Sequence, residues 1–142
     1  MSQVLYYSMT GNTRKLASAI AEELGVEALN IKTAKLQRDG VLFLGSGSYG
    51  DKPSKDMLKF IEKNDFAGLK VALFGTSGKG AGLEVKGMEE ALKHKGANIL
   101  GGYYSKGWAF VAVNLGRPGK EDLEGARKFA REMVKAAREV SR

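Results

Sequence analysis

At 142 residues with 43% hydrophobic content, the chain has enough apolar material for one sizeable core, and one domain over residues 1–142 is expected. It contains no cysteine, which excludes disulfides and thiolate metal sites, so any redox chemistry must come from a bound cofactor. The net charge of +7 makes it basic and favours acidic partners, while the lack of an apolar run near the ~20 residues of a membrane span, or of a secretory pattern, makes a soluble cytoplasmic protein the expectation.

In chain order, Gln3–Tyr7 is short and apolar and reads as a strand, and Arg14–Leu24 reads as a helix with Leu16, Ala17, Ile20 and Leu24 on one face. Between them lies Ser8-Met9-Thr10-Gly11-Asn12-Thr13. A strand, a polar loop and a helix start in that order make an anion site, because the first helical N–H groups lack intrahelical partners and carry the positive end of the dipole. The hydroxyls and the Asn amide add short donors, and Gly11 permits close approach or positive φ. Glu27–Ile31, Val41–Leu44, Lys70–Phe74 and Asn98–Tyr104 read as further strands. Ser54–Lys63 (Met57, Leu58, Ile61), Glu84–Lys95 (Met88, Ala91, Leu92) and about Glu121–Val140 read as helices, the last with acids in its first turn and Arg131, Lys135 and Arg138 toward its end. The connection from Lys32 to Gly40 has no clear helical period. Strands alternating with helices, some as continuous apolar runs such as Val71–Phe74, predict an α/β fold with a parallel, doubly wound sheet.

Ligands of such sheets sit beyond the carboxyl ends of the strands, where the strand order reverses. The glycine-rich segments fall there: Gly45-Ser46-Gly47-Ser48-Tyr49-Gly50-Asp51, Gly75-Thr76-Ser77-Gly78-Lys79-Gly80-Ala81-Gly82 and Ser105-Lys106-Gly107. Any one of them could merely relieve tight geometry; together they ring one crevice. Gly45-x-Gly47-x-x-Gly50 also satisfies the dinucleotide fingerprint. It follows the third strand rather than the first, however, and the region about 20 residues on, Leu69-Lys70-Val71, lacks the acid that would hold a ribose hydroxyl. No segment ends in the Lys-Ser/Thr of a nucleotide P-loop.

The Thr10-Gly11-Asn12-Thr13 pattern, two residues after Ser8, resembles the phosphate loop of flavodoxins, and the resemblance extends from Val4 through the final helix. It implies a five-stranded sheet of order 2-1-3-4-5 with helices on both faces, and FMN as cofactor. It also implies that Ser8, Met9, Thr10, Gly11, Asn12 and Thr13 hold the phosphate, and that Ser46, Gly47, Ser48, Tyr49, Gly50 and Asp51 pack on the flavin, with Tyr49 covering one ring face. Thr76, Ser77, Gly78, Lys79 and Gly80 would line the pyrimidine edge. Ser48-Tyr49-Gly50-Asp51 is similar to the version of the loop in which the Gly50–Asp51 peptide turns over on the first electron. Gly116–Asp122, followed by Ala126, Phe129 and Ala130, is similar to the approach to the last helix of short flavodoxins and is expected to be structural.

The chain departs from the usual flavodoxin in being basic and in having no aromatic residue between Gly75 and Gly82, which leaves Trp108 or Tyr103 to supply a second ring contact. Lys52, Lys79 and Lys106 fall in the cofactor loops with Asp51 the only acid among them. The resemblance implies a monomeric electron carrier, rather than a catalyst with its own substrate, working between redox proteins with acidic surfaces. Two alternatives stand beside it: an FMN-dependent NAD(P)H:quinone-type reductase, and a flavin-free binding or regulatory domain of the same fold. Nucleic acid is disfavoured because no aromatic and basic platform accompanies the charge. His94, the only histidine, lies between Lys93 and Lys95 and receives no catalytic role; no catalytic or metal-ligating residue is assigned.

Overall fold

The computed structural model describes residues 2–107, 114 and 116–140. Among these residues the strands are β1 (Gln3–Tyr7), β2 (Ala28–Asn30), β3 (Val41–Gly47), β4 (Lys70–Ser77) and β5 (Asn98–Lys106). The helices are α1 (Asn12–Leu24), α2 (Lys55–Lys63), α3 (Leu83–Lys93) and α4 (Lys120–Val140). The strands form one parallel sheet in the order β2-β1-β3-β4-β5.

Strand alternation sends neighbouring side chains to opposite faces, and each face has its own helices. Val4, Phe43 and Phe74 pack toward α1 and α4 with Leu16, Ile20 and Phe129. Leu5, Leu44 and Leu73 pack toward α2 and α3 with Met57, Ile61, Met88 and Leu92. Each such side chain contributes roughly 1.5–3 kcal/mol by leaving water. Because β3 and β4 are covered on both sides, they read as unbroken apolar runs.

The crossover from β2 to β3 is irregular, in keeping with its missing period. The Gln3 side-chain amide donates to the Lys35 carbonyl and its oxygen accepts from the Gln37 N–H, pinning that segment to β1. At the approach to α4, Arg117 donates twice to Asp122, and Asp122 also accepts the Gly119 N–H. The Arg117 hydrogen bond holds the Asp122 carboxyl below the usual carboxylate range. Ala126, Phe129 and Ala130 are buried, so this stretch has the structural role expected of it.

Three strands run past their expected ends, β3 to Gly47, β4 to Ser77 and β5 to Lys106, so Gly45, Ser46, Gly47, Gly75, Thr76, Ser77, Ser105 and Lys106 belong to the sheet rather than to loops. The reason is packing. A Cβ on Gly45 would lie 2.1 Å from the Phe74 ring, and one on Gly75 would lie 2.4 Å from Glu84 Cγ and 2.9 Å from the Ser46 carbonyl oxygen. These glycines make room for neighbours inside strands, whereas sequence rules read glycine as a turn signal.

Gly45→Ala is therefore expected to destabilise the chain by about 1–3 kcal/mol or more through overpacking. Gly101→Ala, whose nearest neighbour is the flexible Met133 thioether, should lose less. Urea unfolding of the two variants beside the wild type checks the ordering.

Candidate functional site

Strand register builds the site. Tyr7 pairs with Ser46, Gly47 with Thr76 and Ser77 with Lys106, so the segments leaving β1, β3, β4 and β5 emerge side by side. The strand order reverses between β1 and β3, which is where an open parallel sheet leaves a crevice.

The segment after β1 closes on itself: Ser8 Oγ accepts the Gly11 N–H at 3.0 Å. Gly11 then caps α1 with φ 88°, no side chain caps the helix, and the first turn holds no acid. The first-turn donors at Thr13 and Arg14 are left to an external acceptor in a positive dipole field, the chemistry of an anion cradle. Arg14 and Lys15 are exposed beside it. Thr13 points inward, with its hydroxyl 2.8 Å from that of Thr76 in a buried hydrogen bond that ties the cradle to β4. Asn12 is also buried, against Gly107, while Met9 and Thr10 are exposed.

The segment after β3 is a hairpin. Ser48 pairs with Pro53, Tyr49 N–H donates to the Lys52 carbonyl at 2.7 Å, and Gly50 and Asp51 both have positive φ, at 61° and 63°. Positive φ at both central residues is what a type I′ turn requires. Tyr49 lies over Gly47, and its hydroxyl accepts the Met9 N–H at 3.1 Å, joining the hairpin to the cradle. Burial pushes the Tyr49 hydroxyl up in pKa, and the Met9 hydrogen bond opposes that. Ser46 sits behind the hairpin: fully buried, it donates to the Gly47 carbonyl and accepts the Ser54 N–H.

After β4, Ser77 Oγ accepts the Gly80 N–H and shapes the turn through Gly78 and Lys79. Lys79 Nζ reaches Asp51 Oδ2 at 3.1 Å, an exposed ion pair between this turn and the hairpin. Asn114 donates to the Gly78 and Gly107 carbonyls, joining the β4 and β5 ends.

The structure thus gathers Ser8–Thr13, Ser48–Asp51 and Ser77–Gly80 around one crevice. Ser46, Thr13 and Thr76 stand behind it, with side chains spent on internal hydrogen bonds. Tyr103 faces the other way: its ring stacks on Phe129 and its hydroxyl donates to the Asp122 carbonyl. It is committed to α4, and Trp108, the other candidate for a second ring contact, lies outside the described residues.

One buried group has no role assigned by the sequence. Glu84, in the first turn of α3, is fully buried with neither carboxylate oxygen hydrogen-bonded. A signal existed, because Glu84 is four residues before Met88 and eight before Leu92, on the helix's apolar face.

Residues 4–129 match the flavodoxin family. The chain belongs to it. An uncharacterised protein of Methanocaldococcus jannaschii is 30% identical over 145 residues, covering 93% of this chain and 97% of its own length. A flavodoxin of Clostridium beijerinckii is 31% identical over 110 residues, covering 69% of this chain and 80% of that protein. Among solved structures, a flavodoxin from the domain Archaea superposes with a TM-score of 0.77 at 19% identity, covering 94% of this chain and 96% of that one. The flavodoxin fold expected from the sequence is the fold observed. No helix among the described residues is long and apolar enough to cross a membrane.

Proposed function

We propose that this flavodoxin-family chain binds FMN noncovalently and passes single electrons between redox proteins. The observation that carries the reading is the adjacency of two features: a Gly11-capped, acid-free helix N-terminus and a hairpin with Gly50 and Asp51 both at positive φ. The first fits a phosphate and the second fits the edge of a planar ring. The donor set suits the cofactor, being short hydroxyls and backbone N–H groups with no carboxylate in the first turn of α1. FMN, when bound, supplies the electron chemistry, and the protein supplies position and charge.

In this reading Thr13 and Arg14 N–H, with the Ser8 and Thr10 hydroxyls, hold the phosphate. Tyr49 covers one ring face. The Ser77–Gly80 turn lines the pyrimidine edge, and Lys79 brings a cation there. Turning over the central peptide of a type I′ turn converts it to type II′, in which the first central residue keeps positive φ and the second returns to negative. Gly50 tolerates both states, and Asp51 leaves a conformation that side-chain-bearing residues rarely hold. The hairpin is thereby suited to present a carbonyl to one state of the ring and an altered face to the other.

The basic balance suits acidic redox partners, with steering that salt screens. A single-domain, monomeric, cytoplasmic carrier completes the proposal.

The purified protein is expected to show flavin absorbance after FMN is added, and stepwise dithionite titration should resolve two separate one-electron steps. No binding would remove the reading, and rapid hydride uptake from NAD(P)H would replace the carrier with a reductase. Gly50→Ala should still bind FMN but make the first electron harder to add, because the turned-over hairpin needs glycine there; an unchanged first potential would refute the hairpin's role. Lys79→Glu should make the second electron harder to add, since a carboxylate beside the reduced, anionic edge disfavours it. An unchanged second potential would remove Lys79 from that edge.

A further inference from the structure

Two acids are buried among the described residues, and they are treated oppositely. Asp122 is met by Arg117 and the Gly119 N–H. Glu84 has no exposed surface and no hydrogen-bond partner for either oxygen. Leaving a buried carboxylate unpaired is expensive, and such a group avoids the penalty by holding its proton.

Its position ties it to the site. Glu84 Cγ and Cδ fill the space above Gly75, at 2.4 and 2.8 Å from where a Cβ would stand, and the Ser46 carbonyl oxygen borders the same point at 2.9 Å. One turn further along α3, Gly87 abuts Pro53, whose Cδ would be 2.5 Å from a Cβ there. The first turn of α3 is therefore seated on the ends of β3 and β4, and its second turn on Pro53 at the close of the hairpin, with Glu84 sealed beneath the first. Gly82 caps this turn at φ 74° with no side-chain bond; its carbonyl accepts the Lys86 N–H at 3.1 Å, and packing does the rest.

The surroundings bring no compensating cation; only the N-terminal N–H groups of α3 itself offer positive charge. β3 offers the Ser46 carbonyl and β4 offers Gly75. The chargeable groups nearby on other elements point elsewhere: Lys79 and Asp51 hold each other, Lys52 and Lys106 are exposed, and Tyr49 bonds Met9. On α2, Lys55 and Asp56 are exposed; on α3 itself, Lys86 and Glu90 are exposed and Glu89 pairs with Lys93. Burial pushes the Glu84 carboxyl above the usual range, opposed only in part by the N–H groups of Glu84 and Val85.

We propose that Glu84 is a proton-linked positioning residue of the cofactor site. As a neutral acid it lets the start of α3 close on the ends of β3 and β4 and, through Gly87, on Pro53 at the close of the hairpin; once ionised, it opens that seat and weakens FMN binding. The proton exchanges with solvent, and no covalent step is involved. The binding half of the proposal rests on the FMN reading above. For an acid whose value is raised on folding, the associated stability is complete below the ordinary glutamate range, about 4.3, and is lost as pH rises through the raised folded value.

The test uses the full chain, first without cofactor. Hydrogen exchange of residues 78–88 is followed against pH and corrected for the intrinsic rate, in the wild type and in Glu84→Gln. The wild type should lose protection as pH rises while the variant keeps it, and the infrared band of a neutral carboxylic acid should disappear over the same pH range. If Glu84→Gln does not fold, Glu84→Met, uncharged and of similar length, takes its place. With FMN added, wild-type affinity should fall with pH relative to the variant, toward the one-proton limit of about tenfold per pH unit. Identical pH dependence of exchange in wild type and variant, or no neutral-acid band, overturns the proposal, as does FMN affinity that tracks pH equally in both. A difference in exchange without FMN binding at any pH overturns the cofactor reading and leaves the proton-linked closure standing.

Discussion

The two central strands are held together by space that two glycines leave vacant. Phe74 occupies what would be a side chain at Gly45, and Glu84 occupies what would be a side chain at Gly75. Interiors are packed densely enough that neither position tolerates a methyl group without a shift. The close seam keeps β3 and β4 in register to their last residues, Gly47 against Thr76. It also brings the hairpin and the Ser77–Gly80 turn to the same level, within reach of the Asp51–Lys79 ion pair. The Thr13–Thr76 hydrogen bond then fastens the cradle of α1 to that seam. The crevice follows from core packing, and its loops inherit their placement from it.

Much of this was legible in the chain. Apolar runs marked β3 and β4, the 3.6-residue period marked the helices, and Ser8–Thr13 carried the cradle because a polar loop between strand and helix has one common geometric outcome. What could not be read depended on contacts between distant segments. Nothing local to Gly45 distinguishes a glycine that admits a phenyl ring from one that makes a turn, so sequence rules end these strands earlier than the fold does. Tyr103 carries an aromatic ring and a hydroxyl that suit a ligand as well as they suit Phe129 and a helix carbonyl; only the fold decides between them. Ser46, expected in the segment packing on the flavin, has its side chain buried as a brace for Ser54, the residue that caps α2. Glu84 was visible by its spacing, but acids in the first turn of a helix are ordinary and satisfy the dipole, so the same residue type at the same position had a simpler explanation.

The charge pattern has a division of labour. The cradle uses neutral donors and a helix dipole, while the cations stand on its rim at Arg14, Lys15, Lys52, Lys79 and Lys106, all exposed. Exposed charges are screened and worth little to stability. Their field acts at a distance, whereas backbone donors act only in contact. A basic rim around an uncharged cradle thus separates long-range attraction of anionic groups from short-range hydrogen bonding to them, and salt screens the first more than the second.

Asp51 joins these layers. It holds positive φ without being glycine, and its carboxylate is the one the hairpin extends to Lys79. An ion pair between side chains 70% and 51% exposed is too weak to impose the backbone state by itself. The hairpin bond from Tyr49 to Lys52 and the Ser48–Pro53 bridge do that, and the ion pair adds a small bias. A side-chain-bearing residue held at positive φ by its neighbours stores backbone strain, and under the proposed flip the turned-over form would release it. On the proposed FMN reading, that strain and the weak Asp51–Lys79 pair are the two features through which a charge arriving on the ring would act on the loop.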